Sequence, residues 1–209
     1  MNTFAASILL GYLSGSIPAA VWVGRIVGGI DIRRQGSGNA GATNVARVLG
    51  VRWGVLVGLI DILKGFIPVF LLSAVAGRDF GISAANAGLA IGIAAILGHV
   101  FPLFAGFKGG KGVLTALGVF VALLPFEAAC AAAIWAVVFA IWRIVSLGSI
   151  VAVASFAILV AARRYALGIP HPTALVIASL LIAALVLLTH RENIARLIRG
   201  EEKRFASKR

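Results

Sequence analysis

The 209-residue chain is 61% hydrophobic and only 12% charged, with 19 Lys and Arg against 7 Asp and Glu and a formal net charge of +12. A soluble domain carries about 45–50% apolar and about 25% charged residues, so most of this surface must face lipid. The basic excess lies in short loops and a tail between apolar runs, which excludes a nucleic-acid partner as the reason for it.

A helical span needs about 20 mostly apolar residues. The first candidate is Phe4–Val27, and because Met1–Leu10 contains no Lys or Arg it is expected to be a permanent span rather than a secretory signal. It runs into Arg33-Arg34-Gln35 and then Gly36-Ser37-Gly38-Asn39-Ala40-Gly41-Ala42-Thr43-Asn44-Val45-Ala46-Arg47. This stretch contains G-x-G-x-x-G, whose dinucleotide meaning requires a preceding strand in a soluble βαβ unit; after a membrane span that reading fails. The physical content survives. Glycines let successive N–H groups turn toward an anion. Ser37, Thr43 and Asn44 add neutral donors, with Gly38 and Asn39 in the same loop. Thr43 or Asn44 is expected to cap a following helix whose N-terminus favours anions. Arg47 would return about one turn later as a bidentate phosphate ligand. A flexible turn between spans is the bland alternative, and it does not need glycines and donors at this density.

The second run, Trp53–Ala76, holds Asp61 and Lys64 three residues apart on one helical face. Charges in lipid mark a functional interior by default; a self-neutralising pair that fixes helix packing is the competing reading. After a turn at Gly77-Arg78-Asp79, the third run is Ser83–Leu97, leading into Gly98-His99-Val100-Phe101-Pro102-Leu103-Phe104-Ala105-Gly106-Phe107-Lys108-Gly109-Gly110-Lys111-Gly112. This is not a Walker A loop, because Ala105 holds the first glycine position and Gly112 replaces the Ser/Thr. What remains is Lys108 and Lys111 among glycines beside three phenylalanines, cationic charge against a wall suited to acyl chains.

Val113–Leu124 and Ala128–Trp142, parted by Pro125-Phe126-Glu127, leave about 30 residues for two passes that would use about 40. They read as two short helices or a re-entrant hairpin. Cys130 stands alone in an Ala-rich run, an inert thiol with no disulfide framework. Leu147–Ala162 follows, and the hydroxyls of Ser146-Leu147-Gly148-Ser149 either cap it or serve a ligand. Beyond Gly168-Ile169-Pro170-His171-Pro172 the last run, Thr173–Thr189, ends at His190-Arg191-Glu192-Asn193. On a helix His190 and Asn193 share a face that Ile194 and Leu197 continue, and the rest of the tail reads as an amphipathic interfacial helix.

Seven spans place the termini on opposite sides. One side would carry fifteen Lys and Arg, seven of them in the tail, and the other only Arg78, Arg163 and Arg164. The positive-inside rule makes the rich side cytoplasmic and the N-terminus external. The expectation is therefore an all-α polytopic membrane protein of about seven helices, a single domain over residues 1–209 with a basic cytoplasmic tail from 190. All three polar motifs would lie on one face. His171 would lie on the other, so His99, His171 and His190 assemble no metal site. No Asp or Glu is expected near His99, which leaves a hydrolase triad without its orienting acid. Many anion donors and few bases suit a reaction with an already activated donor, in which holding two phosphates close does most of the work.

GSGNAGATNVAR, GHVFPLFAGFKGGKG and HREN, in this order, resemble the bacterial acyl-phosphate:glycerol-3-phosphate acyltransferases, the PlsY family. Gly15-Ser16-Ile17-Pro18, Asp61 with Lys64, and Ser146-Leu147-Gly148-Ser149 also fit, so the resemblance runs from about residue 11 to 201. It implies a seven-helix fold in the bacterial cytoplasmic (inner) membrane with its active site on the cytoplasmic face. It implies transfer of a fatty acyl group from acyl phosphate to the sn-1 hydroxyl of glycerol 3-phosphate, giving lysophosphatidic acid and inorganic phosphate, the first acylation of phospholipid synthesis. No cofactor and no metal are expected; the partners are the two substrates and membrane lipid. Residue by residue, the resemblance implies that Ser37, Thr43 and Arg47 hold phosphate, that Lys111 with Lys108 supplies charge, and that Ser149, His190 and Asn193 complete a polar cleft. The attacking hydroxyl would lose its proton to a bound phosphate or to His190. A transporter of phosphate esters is the rival from another class, but no inverted repeat matches the long glycine loop.

Overall fold

A computed structural model of the chain describes residues 2–205; the end of the basic tail, Lys208 and Arg209 included, lies outside the described residues. The described residues form helices and loops, with no strand among them. They divide into two units, up to Leu123 and from Leu124.

The first unit contains α1 (Thr3–Gly15), α2 (Ala19–Gly28), α3 (Ala42–Leu49), α4 (Val51–Phe80), α5 (Ala84–Val100) and α6 (Val113–Leu123). Between membrane helices the driving force is close packing rather than water exclusion, so small residues mark the seams. A Cβ at Gly11 or Gly15 would strike the carbonyls of Ile91 and Ala95, which brings α1 against α5. Gly65 and Gly118 likewise face the carbonyls of Thr115 and Ile62, which brings α4 against α6. Ser83 caps α5, its Oγ accepting from the Asn86 N–H at 3.2 Å.

Three expectations change here. The first run is two helices, because Ile17-Pro18 interrupts it: Pro has no N–H to donate and restricts the residue before it. The Gly77-Arg78-Asp79 turn signal is helical, and α4 stops instead at Gly81, whose left-handed φ of 72° lets its N–H reach Arg78 O. Gly41, not Thr43 or Asn44, is the N-cap residue of α3, and it has no side chain to lend; Thr43 and Asn44 lie in the first turn.

The second unit contains α7 (Pro125–Trp142), α8 (Val145–Tyr165), α9 (Thr173–Thr189) and α10 (Arg191–Ile198). Pro125 and Glu127 open α7 rather than separate spans, as suits a proline without a donor and an acid at the positive helix end. Helix α6 ends at Leu123 and α7 starts at Pro125, so one long helix over 113–142 is excluded. Glu127 Oε1 meets Arg163 Nε at 3.0 Å and His171 Nε2 at 2.9 Å, joining α7, the end of α8 and the loop before α9. Neither Ser146 nor Ser149 caps α8, whose N-cap residue is Ile144.

Among the described residues five stretches are long and apolar enough to cross a bilayer: Thr3–Gly28 taken across its break, α4, Ala84–Ala105, α7 and α8. The pair α9 and α10, bent by 63°, makes a sixth. At 11 residues α6 reaches about 16 Å, half of a hydrocarbon core of about 30 Å.

Candidate functional site

In the first unit, the loop between α2 and α3 is organised from within by Asn44. This residue is buried; its Nδ2 donates to Ile32 O and Gln35 O, both at 3.0 Å, and its Oδ1 accepts from Ser37 N–H at 2.8 Å. Both amide hydrogens are therefore spent on the loop backbone, so Asn44 shapes the loop and has no donor left for a substrate. Gly36 makes this possible: its φ is 62°, and a Cβ there would collide with Asn44 Oδ1. Ser37 and Gly38 lie on the exposed stretch that results, with Asn39 half-buried beside them. Thr43 and Arg47 follow one turn apart on α3, both half-buried.

The loop between α5 and α6 is a folded strap. Phe107 N–H donates to Pro102 O at 2.9 Å, Gly109 N–H to Val100 O and Gly110 N–H to His99 O, both at 3.2 Å. Phe107 sits at φ 59°, a left-handed conformation that costs a bulky residue about 1–3 kcal/mol and survives only where its surroundings impose it. Phe101, Phe104 and Phe107 are exposed, with Lys108 next in the chain. Lys111 is half-buried.

These two loops meet. Arg33 grips Asp31 through Nε and Nη2, at 2.9 and 2.7 Å, and its Nη1 donates to Ala105 O of the second loop at 2.8 Å. The side-chain and backbone hydrogen bonds from Arg33 hold the Asp31 carboxyl far below the usual carboxylate range. Asp31 in turn raises the Arg33 guanidinium above its ordinary value. Arg33 is thus a strut between loops rather than an anion ligand. Behind them a cavity is lined by Asp61, Lys64, His99, Lys108, Ala40 and Gly110, among others. Asp61 Oδ1 lies 2.7 Å from Lys64 Nζ and 3.5 Å from His99 Nδ1. This corrects the expectation that no acid stands near His99: the partner is 38 residues away in sequence, on α4.

In the second unit, His190 is the junction residue between α9 and α10, where the helix axis turns by 63°. His190 and Asn193 therefore do not share one continuous helix face. His190 Nδ1 lies 2.8 Å from Val186 O. A carbonyl only accepts, so Nδ1 carries the proton and the lone pair of the neutral ring is on Nε2, the arrangement a general base requires. Asn193, in the first turn of α10, donates Nδ2 to Glu202 Oε1 at 2.5 Å. The same carboxylate accepts from Ser146 Oγ at 2.7 Å and from Arg196 Nε at 2.6 Å. Burial pushes the Glu202 carboxyl up, but hydrogen bonds from Ser146, Arg196 and Asn193 outweigh it and hold the group below its ordinary value. Because the carboxylate takes the NH₂ side of Asn193, the amide oxygen is turned away from it. Ser149 is buried one turn past Ser146, its Oγ donating to Val145 O at 3.0 Å. That leaves Ser149 as an acceptor.

Sequence reasoning missed Glu202, hidden in the charged run Glu201-Glu202-Lys203-Arg204. The only hint was an acid in a tail otherwise dominated by bases.

Long apolar helices joined by glycine-rich and basic loops define a multi-pass integral membrane protein, and the pattern of those loops is shared with known proteins. The family model described as "Glycerol-3-phosphate acyltransferase" matches residues 5–200. A glycerol-3-phosphate acyltransferase of Anaeromyxobacter dehalogenans (strain 2CP-C) is 46% identical over 202 residues, covering 96% of each chain. One from Trichlorobacter lovleyi is 46% identical over 194 residues, covering 93% of each. The crystal structure of PlsY, an integral membrane glycerol 3-phosphate acyltransferase, in its glycerol 3-phosphate form superposes with a TM-score of 0.85 at 41% identity, over 97% of this chain and 96% of that one. Its lysophosphatidic acid form gives a TM-score of 0.82 at 41% identity, over 98% and 96%. The chain belongs to the glycerol-3-phosphate acyltransferase family, the integral membrane acyltransferases of phospholipid synthesis.

Proposed function

We propose that this protein transfers a fatty acyl group from acyl phosphate to the sn-1 hydroxyl of glycerol 3-phosphate, releasing lysophosphatidic acid and inorganic phosphate. The observation that carries this reading is a first loop with Ser37 and Gly38 exposed on a scaffold that Asn44 completes internally, beside a second loop bearing Lys108. Ser37, Gly38, Asn39, Thr43 and Arg47 bind phosphate oxygen, and Lys108 and Lys111 add charge. Asn44 acts by holding the loop. An acyl phosphate already carries a good leaving group, so stabilising negative charge and aligning the two substrates does most of the work.

In this mechanism the hydroxyl oxygen attacks the acyl carbonyl, the C–O bond to phosphate breaks, and phosphate leaves with the electron pair. The hydroxyl proton goes to that phosphate or to His190 Nε2. Asn193 and Ser149 orient the reacting groups. We read residues 1–209 as one functional domain, consistent with a family match that runs through both units. We read the topology as about seven passes, the half-length α6 counted among them, with the N-terminus external and the loops at the cytoplasmic face of the inner membrane, on the strength of fifteen basic residues against three.

Purified protein in detergent should release phosphate from palmitoyl phosphate only when glycerol 3-phosphate is present. Release without acceptor, or activity that needs a sealed vesicle, would overturn the reading. In the same assay His190→Ala should lower turnover at saturating substrate if His190 takes the proton; unchanged turnover with weaker binding assigns the proton to phosphate.

A further inference from the structure

The Asp61–Lys64–His99 cluster has no part in the mechanism above, yet all three side chains are more than nine-tenths buried. A structural pair that only neutralises itself would be complete with Asp61 and Lys64. This cluster reaches further in two directions. Lys64 Nζ donates to Ile17 O at 2.9 Å, in the break between α1 and α2, and Lys64 O accepts from Ser14 Oγ at 2.9 Å. Helix α2 leads directly into the first loop. On the other side Asp61 Oδ1 faces His99 Nδ1, a buried nitrogen with no hydrogen-bond partner of its own. His99 is the penultimate residue of α5 and stands behind the second loop. A Cβ at Gly110 would land on His99 Nε2, and one at Gly109 on His99 O. Both glycines are thus required by close approach to this one histidine.

We propose that Asp61, Lys64 and His99 form one ionic hub that sets the two glycine loops in register, with His99 a positioning residue for the segment Lys108–Lys111. The hub anchors the start of α2, the helix that leads into the first loop, through Ile17 O, and the floor of the second loop through the imidazole. Direct ties complete the register: Arg33 to Ala105 O, and Ala40 O against Gly110. Misplacing a phosphate-holding loop by an ångström weakens ligand binding and substrate alignment together, so the signature of the hub is a raised KM with a fall in kcat/KM. The KM arm of the test rests on the acyltransferase reading; a second arm does not.

Asp61→Asn keeps shape and removes the charge. His99→Asn keeps a donor toward Asp61 and removes the ring that backs Gly110, whereas His99→Gln keeps a nitrogen near Nε2 and loses the contact to Asp61. Lys64→Met with Asp61→Asn gives a neutral pair, because removing both charges together spares the fold the unpaired ion a single change leaves. For purified folded protein we expect KM for glycerol 3-phosphate to rise at least about tenfold in Asp61→Asn and in the neutral double variant, and kcat/KM to fall by at least that factor. Hydrogen exchange should speed up in both segments 29–41 and 108–112 and leave the centre of α4 protected. A purely structural pair would lower the yield and melting temperature while leaving KM and loop exchange of the surviving protein unchanged, and that result in the double variant overturns the proposal. Faster exchange in the second loop alone also overturns it, since a hub must move both. Were the wild-type protein to show no dependence on glycerol 3-phosphate, the acyltransferase reading would fall, and loop exchange would still decide the hub.

Discussion

Replacing Glu202 by Ala tests how much of the second unit's polar architecture hangs on one carboxylate. The side chain is 6% exposed and accepts from Ser146, Asn193 and Arg196. A hydrogen bond to an ionised group nets about 1.5 kcal/mol at the low end. The Arg196 side chain is 33% exposed and rehydrates when released, so its share falls to about 0.5–1 kcal/mol. The expected loss is about 3.5–4 kcal/mol, or a melting point lowered by about 7–16 °C at about 2–4 °C per kcal/mol. Glu202→Gln keeps an acceptor for the neutral donors but turns an amide toward Arg196, and should lose about half as much. The pH dependence has a definite sign. A carboxyl held below its ordinary value of 4.5 in the folded protein contributes stability that is complete above that value. That stability is lost as pH falls through the lower folded value, so the gap between wild type and Glu202→Gln should be constant from pH 8 to about 5 and narrow below about 4.5. Thermal unfolding in detergent across this range is the assay, with acyl transfer by the folded fraction measured alongside. A Glu202→Ala protein melting within about 2 °C of wild type, with unchanged turnover, would refute the reasoning.

Asn44→Ala removes three hydrogen bonds that close the first loop, and should cost about 2–3 kcal/mol and raise KM for glycerol 3-phosphate more than it lowers kcat; steady-state kinetics separates the two. Asp31→Asn frees Arg33 from its partner and loosens the strut to Ala105, so KM should rise several-fold at neutral pH. Since the Asp31 carboxyl is depressed, the wild-type strut persists as pH falls from 8 to 4 and fails only below the folded value, which a KM profile against pH would reveal.

The order of apolar runs, the polar motifs and the family resemblance were legible because each rests on local composition. Long-range partnerships were not. Asp61 and Lys64, three residues apart, read either as a functional interior or as a self-neutralising pair, and nothing local announces a third member at His99. Asn44 reads as a substrate donor because it stands in a loop dense in hydroxyls and glycines; only the fold shows its amide facing Ile32 and Gln35. Boundaries erred where a strong neighbour overruled a turn residue, as when α4 ran through Gly77-Arg78-Asp79 to stop at Gly81. The break at Pro18 was visible in the sequence, but a long apolar run masked it.

The 30 residues of α4 extend about 45 Å, well beyond a hydrocarbon core of about 30 Å. A helix that overshoots must lean, or push its ends into the headgroup layers where Arg52 and Arg78 are soluble. Because this same helix carries the buried acid and lysine, its tilt is coupled to loop geometry, and lipid thickness becomes a variable that acts on the enzyme through its longest rod.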